Sequence, residues 1–168
     1  MHAEPVVYSM LSLGAARVDG AGKDFYVELQ PVSTQFVPEA LAVSGLDREV
    51  LARTGVEPGE AMRRFRQWLA ALDGRPVFAS FSSWDWLFVF YYLVRYAGDS
   101  PFGHSSLDMK SLYMGKYGTD WRDTSKRAIA RTRPHLLEGL GPHTHNALDD
   151  AREQAELLRR ILANHSAR

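Results

Sequence analysis

The hydrophobic pattern in the first third of the chain favours short strands. Residues 10–18 and 25–29 predict two half-buried strands of a hairpin, joined across the glycine-rich turn at 20–22. The next segment, 30–47, is interrupted by prolines and a glycine, so it predicts a loop with one short helix at about 38–43. Long loops of this kind often border functional sites.

The rest of the chain alternates helical periods with short apolar runs. Residues 58–72 predict an amphipathic helix, and 75–81 predict a short buried strand. Residues 85–96 are apolar at almost every position and predict a buried helix, while 106–109 predict a last strand before a short helix. The final helix is predicted at 147–163. Strands interleaved with helices favour an α/β fold in which helices cover both faces of a mixed sheet.

Composition limits the size and chemistry of the protein. The 168 residues are 45% hydrophobic, which is enough for one domain spanning 1–168 with a substantial core. The absence of cysteine excludes disulfides and thiolate metal sites. Carboxylates, histidines and carbonyls remain as ligands, and these favour hard cations such as Mg²⁺ or Mn²⁺.

Charge and hydropathy narrow the choice of partners. Twenty basic and twenty acidic residues cancel, which argues against a tight, charge-driven binder of long nucleic acid. The most basic stretch, 116–135, is equally consistent with a solvated surface and with a phosphate-contacting surface. No apolar run reaches the length of a membrane span, and residues 1–5 lack the features of a signal peptide. These observations predict a cytoplasmic protein without membrane contact.

The stretch that opens the last helix carries the strongest candidate chemistry. Asn146 is a good N-cap, which places His145 in the preceding loop. At about 100° per residue, Asp149 falls on the polar side of the helix, whereas Asp150 falls at the margin of the apolar face. A carboxylate turned towards a core is costly unless it is paired or binds a metal. The alternatives are a surface histidine and an acidic first turn that complements the helix dipole.

A second candidate group heads the predicted helix at 85–96. Asp85 follows two serines, so either Asp85 or one of these serines can be read as a helix cap. Trp84 is the best candidate to stack on a terminal base, with core packing as the alternative. For Trp86, core packing is the preferred interpretation.

These two stretches together resemble one enzyme family. Residues 145–151, with the sequence His-Asn-Ala-Leu-Asp-Asp-Ala, resemble the third motif of the DEDDh 3′-5′ exonucleases, which include RNase T, oligoribonuclease and the proofreading subunit of bacterial DNA polymerase III. Residues 78–88 resemble the second motif, in which a buried strand and a polar turn precede an aspartate at the head of an apolar helix. Residues 107–112 look like the strand and helix start that follow this motif in RNase T-like members. Asp85 matches the metal-binding aspartate of the second motif.

The resemblance implies a fold and a function. The implied fold is RNase H-like, a five-stranded mixed sheet flanked by helices, whose first, central strand is expected to be missing or degenerate in this chain. The function is metal-dependent 3′-5′ exonuclease activity on single-stranded DNA or RNA ends, by two-metal phosphodiester hydrolysis. Asp85 and Asp150 would bind Mg²⁺ or Mn²⁺, and His145 would be the general base, a task suited to an imidazole. Related proteins are often homodimers.

The first motif of the family has no counterpart here. An Asp-x-Glu pair normally lies on the first, central strand, roughly ten residues before the strand that begins here at Met10. This sequence offers only Glu4, with His2 two positions earlier. Three explanations are open: a start codon assigned late, a shortened chain, or a degenerate homologue that has lost catalysis. We expect little or no activity from this chain. The alternative function is a catalytically inactive exonuclease fold that binds nucleic acid or protein.

Overall fold

The computed structural model describes residues 7–141 and 144–163. Its elements alternate between short strands and helices, in the order β1 (Ser12–Ala15), β2 (Phe25–Glu28), α1 (Pro38–Ser44), α2 (Arg48–Thr54), α3 (Pro58–Ala70), β3 (Ala79–Ser80), α4 (Ser83–Ala97), β4 (Leu107–Asp108), α5 (Met109–Tyr117), α6 (Lys126–Thr132) and α7 (Ala147–Ala163). Two 3₁₀ turns, Trp121–Thr124 and Pro134–Leu136, flank α6. No helix in this part of the chain is long and apolar enough to cross a membrane.

The predicted hairpin forms, with shorter strands than the pattern suggested. β1 and β2 pair in antiparallel fashion, with Leu13 opposite Val27, and both of these side chains are buried. The loop before α2 is as predicted. The helix α2 itself was not predicted. Asp47 caps α2 by accepting hydrogen bonds from the Glu49 and Val50 amides.

The described strands form two small sheets, in which β1 pairs with β2 in antiparallel fashion and β3 pairs with β4 in parallel. The mixed α/β arrangement is as predicted. Among residues 7–141 and 144–163, the four strands do not form a single five-stranded sheet. The predicted buried strand at 75–81 shrinks to two residues, and Val77 in its middle is 71% exposed. A strand extends only as far as its backbone forms hydrogen bonds with a neighbouring strand. Among the described residues, β3 has such a neighbour, β4, on one side.

One core cluster joins the hairpin to α3 and α4. Phe65 of α3 and Tyr92 of α4 are almost completely buried beside Leu29. The prediction that α4 is buried all round is wrong, because Leu87 and Val94 are each 43% exposed. The helix packs on α3 along one side, so its opposite side remains at the surface.

A second core cluster holds α7 in place. Leu157 and Ile161 of α7 pack with Met109 and Tyr113 of α5, and all four side chains are fully buried or nearly so. α7 has the predicted bounds. Its N-terminus lies directly on β1, where a Cβ atom built on Gly14 would be 2.3 Å from the Ala147 carbonyl carbon. Gly14 therefore allows the strand and the start of α7 to meet.

Candidate active site

The three predicted site residues come together at one cleft. A cleft of about 1040 Å³, here the β1–β3 cleft, lies between β1, β3 and the helices α3, α4 and α7. Asp85 of α4, Asp150 of α7 and His145 of the preceding loop all line it. These side chains come from distant parts of the sequence, so the fold alone creates the site.

Asp85 lines the cleft and does not cap α4. The cap is Ser82, whose hydroxyl accepts a hydrogen bond from the Trp84 amide at 3.2 Å. Asp85 is exposed to solvent where it lines the cleft, and the neighbouring groups of the cleft partly desolvate its carboxyl. This desolvation raises the pKa of Asp85, and the nearby charge of Asp150 raises it further, while a hydrogen bond with Gln154 and the charge of Lys126 lower it. The two carboxylates are therefore close enough to repel each other.

The start of α7 orients its two aspartates as the helical pattern predicted. Asn146 Oδ1 accepts hydrogen bonds from the amides of Leu148 at 3.0 Å and Asp149 at 3.3 Å, which confirms the predicted cap. The Asp149 side chain is 51% exposed and lies 3.6 Å from Arg152. Asp150 is half-buried and lines the cleft. Asp149 therefore lies at the surface, and Asp150 lines the cleft.

The His145 loop has a defined backbone and is tied to the hairpin. His145 has a φ of 58° and is the sole non-glycine residue with positive φ in the described part of the chain. The Tyr26 side chain of β2 hydrogen-bonds Asn146 and donates to Glu28 Oε1 at 2.8 Å. Asp149 Oδ2 accepts a hydrogen bond from the Thr144 hydroxyl at 3.1 Å. These contacts fix the segment that carries the proposed base.

Gln154 is a site residue that sequence reasoning missed. Its Oε1 accepts a hydrogen bond from the Phe81 amide at 2.7 Å, and its side chain hydrogen-bonds Asp85. Gln154 thereby connects α7 to the end of β3 and to the head of α4. The available signal was its position one helical turn after Asp150, which places both side chains on the same face.

The basic stretch 116–135 has both structural and site-facing members. Lys116 Nζ donates to the backbone carbonyls of Ile161 and Leu162 at the end of α7, and Arg133 stacks on the Tyr117 ring at 4.2 Å. Lys126 is the member whose charge reaches Asp85, and its Nζ lies 2.7 Å from Glu153 Oε2. Part of this stretch therefore stabilises the fold, and Lys126 belongs to the site.

Of the two aromatic candidates, Trp84 lies at the surface and Trp86 packs against the core. Trp84 is 41% exposed and contacts Phe88 edge-to-face with ring centroids 6.0 Å apart. Trp86 packs on Phe78 at 5.3 Å and on Phe102 at 6.1 Å, within the first core cluster. The preferred core interpretation of Trp86 is confirmed. Trp84 is partly exposed and precedes Asp85 in α4, but it is not among the residues that line the cleft.

The oxygen ligands of the site fit a divalent cation in their chemistry. Asp85 and Asp150 supply the hard oxygen ligands that Mg²⁺ and Mn²⁺ prefer, and a bound cation would relieve their repulsion. Across residues 7–141 and 144–163, no three His, Asp or Glu side chains form a metal-binding group. His2 and Glu4 lie outside the described residues. The pair fits one cation in chemistry and is short of ligands for two.

Comparison with known proteins identifies the family. No protein-family profile matches the chain. It is 42% identical over 164 residues to the 3′-5′ DNA exonuclease Cap18 of Escherichia coli, an alignment that covers 94% of this chain and 84% of that protein. The chain therefore belongs to the 3′-5′ exonucleases of DEDDh type.

Solved structures agree on the fold. A full-length 3′-exonuclease superposes with a TM-score of 0.67 at 14% identity, covering 84% of this chain and 64% of that one. The nuclease domain of 3′hExo, a DEDDh family member bound to rAMP, superposes with a TM-score of 0.68 at 14% identity, covering 85% of this chain and 73% of that one. The mixed α/β arrangement is thus RNase H-like, and the chain spans less than two thirds of the first of these proteins.

Proposed function

We propose that this chain carries the His145, Asp85 and Asp150 portion of a metal-dependent 3′-5′ exonuclease site that acts on single-stranded DNA or RNA ends. The observation that carries the proposal is that Asp85, Asp150 and His145 line one cleft, in which desolvation and the charge of Asp150 raise the pKa of Asp85. A carboxyl in a cleft whose pKa is raised by desolvation and by a specific charged neighbour is a candidate functional residue.

The chemistry follows from the residue types. Bound divalent ions would supply Lewis acidity at the phosphate, with Asp85 and Asp150 as their ligands. His145 would accept the proton of the attacking water as the new bond to phosphorus forms. The bond between phosphorus and the 3′ oxygen would then break, and the leaving 3′ oxygen would take a proton from solvent water, which releases a nucleoside 5′-monophosphate and leaves a new 3′ hydroxyl. Gln154 would hold the Asp85 carboxylate in place during this step.

The substrate class rests on surface features. The exposed Trp84 ring can stack on a terminal base of any sequence. The zero formal charge disfavours long duplexes held by many phosphate contacts. By name, the E. coli relative acts on DNA, whereas among the solved neighbours one is bound to rAMP and another recognises a histone mRNA stem-loop. We therefore include both DNA and RNA ends. A homodimer and a cytoplasmic location stay predictions from the resemblance and the sequence.

The alternative function is a catalytically inactive exonuclease fold that binds nucleic acid or protein. Its support is that no three His, Asp or Glu side chains of the described residues form a metal-binding group, whereas two-metal hydrolysis needs several such ligands. The same shortage underlies the expectation that this chain digests little or no substrate.

Metal binding is tested first, because it does not require turnover. Mn²⁺ is titrated into the chain while thermal unfolding is followed, beside Asp150→Asn and the matched control Asp149→Asn. We expect Mn²⁺ to raise the melting temperature of the chain and of Asp149→Asn, whose side chain points outwards, and to leave Asp150→Asn unchanged. An equal response of both variants would contradict the assignment of Asp150.

Digestion is tested second. The chain and His145→Ala are incubated with Mn²⁺ and 5′-labelled single-stranded DNA or RNA oligonucleotides. The expected result is little shortening by either protein. Shortening from the 3′ end that disappears in His145→Ala would support the exonuclease and contradict the expectation of inactivity. Binding of the oligonucleotides without cleavage, together with no response to Mn²⁺, would favour the inactive binding module.

A further inference from the structure

An aromatic ring and a lysine form an exposed pair outside the β1–β3 cleft. Trp121, in the 3₁₀ turn before α6, is 50% exposed, and Lys110 Nζ of α5 lies 4.4 Å from its ring centroid. The lysine covers one face of the indole, so the exposed surface lies on the other face and the edges. An aromatic ring with one free face can stack on a nucleobase of any sequence.

The turn that carries Trp121 is held by groups other than the indole. Asp120 Oδ1 accepts a hydrogen bond from the Arg122 amide at 2.9 Å, and the buried Thr124 hydroxyl donates to the Trp121 carbonyl at 2.7 Å. The backbone therefore presents the ring in a defined position. The side chain can be replaced without breaking these contacts of the turn.

The first link between this pair and the candidate site runs through the starts of α4 and α5. The Ser83 hydroxyl, two residues before Asp85, donates to Asp108 Oδ2 at 3.0 Å. Asp108 is the N-cap of α5, and Lys110 follows it by two residues. The helix that carries Lys110 is therefore fastened to the helix that carries Asp85.

The second link runs through the start of α6. Lys126 is its first residue, and its charge reaches Asp85. Trp121 precedes Lys126 by five residues. Since consecutive Cα atoms are about 3.8 Å apart, the backbones of Trp121 and Lys126 lie within about 19 Å of each other. A nucleic-acid strand of a few nucleotides covers that distance.

The surface around the pair attracts phosphates. Residues 110–127 contain five basic and two acidic side chains, and Arg122 and Arg127 among them are exposed. A local excess of positive charge beside an aromatic ring is typical of surfaces that bind single strands.

A second aromatic–cation pair of the chain has the opposite surroundings. Phe36 is 47% exposed, and the Arg48 guanidinium lies 5.2 Å from its ring centroid. Residues 36–50, however, contain three acidic side chains and one basic side chain. This pair therefore matches the first in ring exposure but not in charge, and it provides a control.

We propose that Trp121 and Lys110 form a stacking platform, the Trp121–Lys110 platform, for the single strand whose 3′ end enters the β1–β3 cleft. A base several nucleotides from the end stacks on the free face of Trp121, and Lys110 contacts a neighbouring phosphate. At a stacked spacing of roughly 3.4 Å for each nucleotide, about six nucleotides cover the span from Lys126 to Trp121. The direction of the strand rests on the proposed function, because the 3′ end has to reach the cleft. A duplex covers its base faces in its own stack, so the platform selects single strands.

Binding in the absence of metal tests the platform without turnover. Fluorescence anisotropy of a 5′-labelled, twelve-nucleotide oligothymidylate is recorded in EDTA for the parent, Trp121→Ala and the matched control Phe36→Ala. We expect Trp121→Ala to weaken binding by about 5- to 100-fold, the effect of losing one stacked base. Phe36→Ala should bind as the parent does. Trp121→Phe, which restores a ring, should recover most of the affinity.

Strand length and salt give two further readouts. A labelled dinucleotide is too short to reach from the cleft to the platform, so Trp121→Ala and the parent should bind it equally. Lys110→Gln should reduce the slope of log affinity against log salt for the twelve-nucleotide strand by about 0.7, the value for one phosphate contact of a single strand. The control Arg48→Gln should leave this slope unchanged.

The platform would be overturned by equal affinities of the parent and Trp121→Ala for the twelve-nucleotide strand, with both proteins shown to be folded by their melting temperatures. An equal loss in Phe36→Ala would overturn it as well, because the binding would then not depend on this surface. Failure of the proposed function has a different signature. Mn²⁺ would then neither raise the melting temperature nor support digestion, while binding in EDTA would still depend on Trp121.

Discussion

Gln154 and Asp85 are joined by a hydrogen bond across the site, although they lie on different helices. Gln154 also accepts a hydrogen bond from the Phe81 amide at 2.7 Å. One amide side chain therefore sets the distance between the two helices that bear the acidic pair. This arrangement explains how a site made of distant residues is held together without a bound partner.

Replacement of Gln154 should weaken both the fold and the site. Gln154→Ala removes the acceptor of the Phe81 amide and a donor to Asp85, so we expect a loss of about 1–3 kcal/mol in the free energy of unfolding. Urea denaturation measures this loss, and Mn²⁺ titration should show weaker binding. The matched control is Gln67→Ala, which removes an exposed glutamine from α3. Equal stabilities of the two variants would contradict the role assigned to Gln154.

The contact between β1 and α7 should not tolerate a side chain at Gly14. In Gly14→Ala, the new Cβ atom would lie 2.3 Å from backbone atoms of Ala147, so the start of α7 must move. We expect a loss of at least about 1–3 kcal/mol in urea denaturation. Gly115→Ala is the control, because no atom lies within 4 Å of its added Cβ and alanine favours helix by about 0.5–1 kcal/mol. A Gly14→Ala protein as stable as the parent would refute the close packing.

The left-handed backbone conformation of His145 should affect the free energy of unfolding when this residue is replaced. With a φ of 58°, this position favours glycine over alanine. We expect His145→Gly to be more stable than His145→Ala by about 1 kcal/mol in urea denaturation. The same pair of substitutions at Arg63, an exposed position of α3, should give the opposite order. A preference for alanine at both positions would contradict the strained loop.

The free energy of unfolding should fall at alkaline pH, because the buried Tyr92 hydroxyl has a raised pKa. Desolvation raises the pKa of Tyr92 to about 12, although the hydrogen bond that its oxygen accepts from the Met10 amide at 2.8 Å opposes the shift. A raised pKa adds stability that is fully present below the unfolded value of 10.0 and is lost as the pH rises through 12. Tyr26, whose pKa also rises to about 12, contributes in the same direction.

The test of this pH dependence uses conservative variants. Tyr92→Phe should cost about 1–3 kcal/mol at pH 8, because the Met10 amide loses its acceptor. It should then lose less stability than the parent between pH 10 and 12. Tyr91→Phe, at the adjacent and only partly buried position of α4, is the control. An alkaline loss in Tyr92→Phe equal to that of the parent would show that Tyr92 does not carry the effect.

Local signals were sufficient for most elements and for the site candidates. The helical period fixed α7 and placed Asp150 inwards and Asp149 outwards, since a period of 3.6 residues alone decides which side chain faces the core. Asn146 was identified as the cap because the rule for capping residues is local. The motif at 145–151, supported by the one around Asp85, indicated the family, and the E. coli relative confirms it.

Periodicity, capping residues and motifs did not predict contacts between residues that are distant in the sequence. Gln154 gains its role because α7 lies beside the end of β3. Its position one turn after Asp150 places it on the same face of α7, but it does not indicate the partner across the fold. The burial of α4 was overstated for the same reason, since an apolar helix exposes a face whenever the fold leaves that face uncovered.

The sequence by itself indicated most of the helices, the hairpin, the family and the three residues of the candidate site, because periodicity, caps and motifs are written in neighbouring positions; α2 was missed. Only the tertiary structure decided how the strands pair. It left β1 and β3 in separate sheets of the described residues, both lining one cleft with Asp85 and Asp150. Strand pairing depends on which edges find partners across the whole fold, and no local pattern records that outcome.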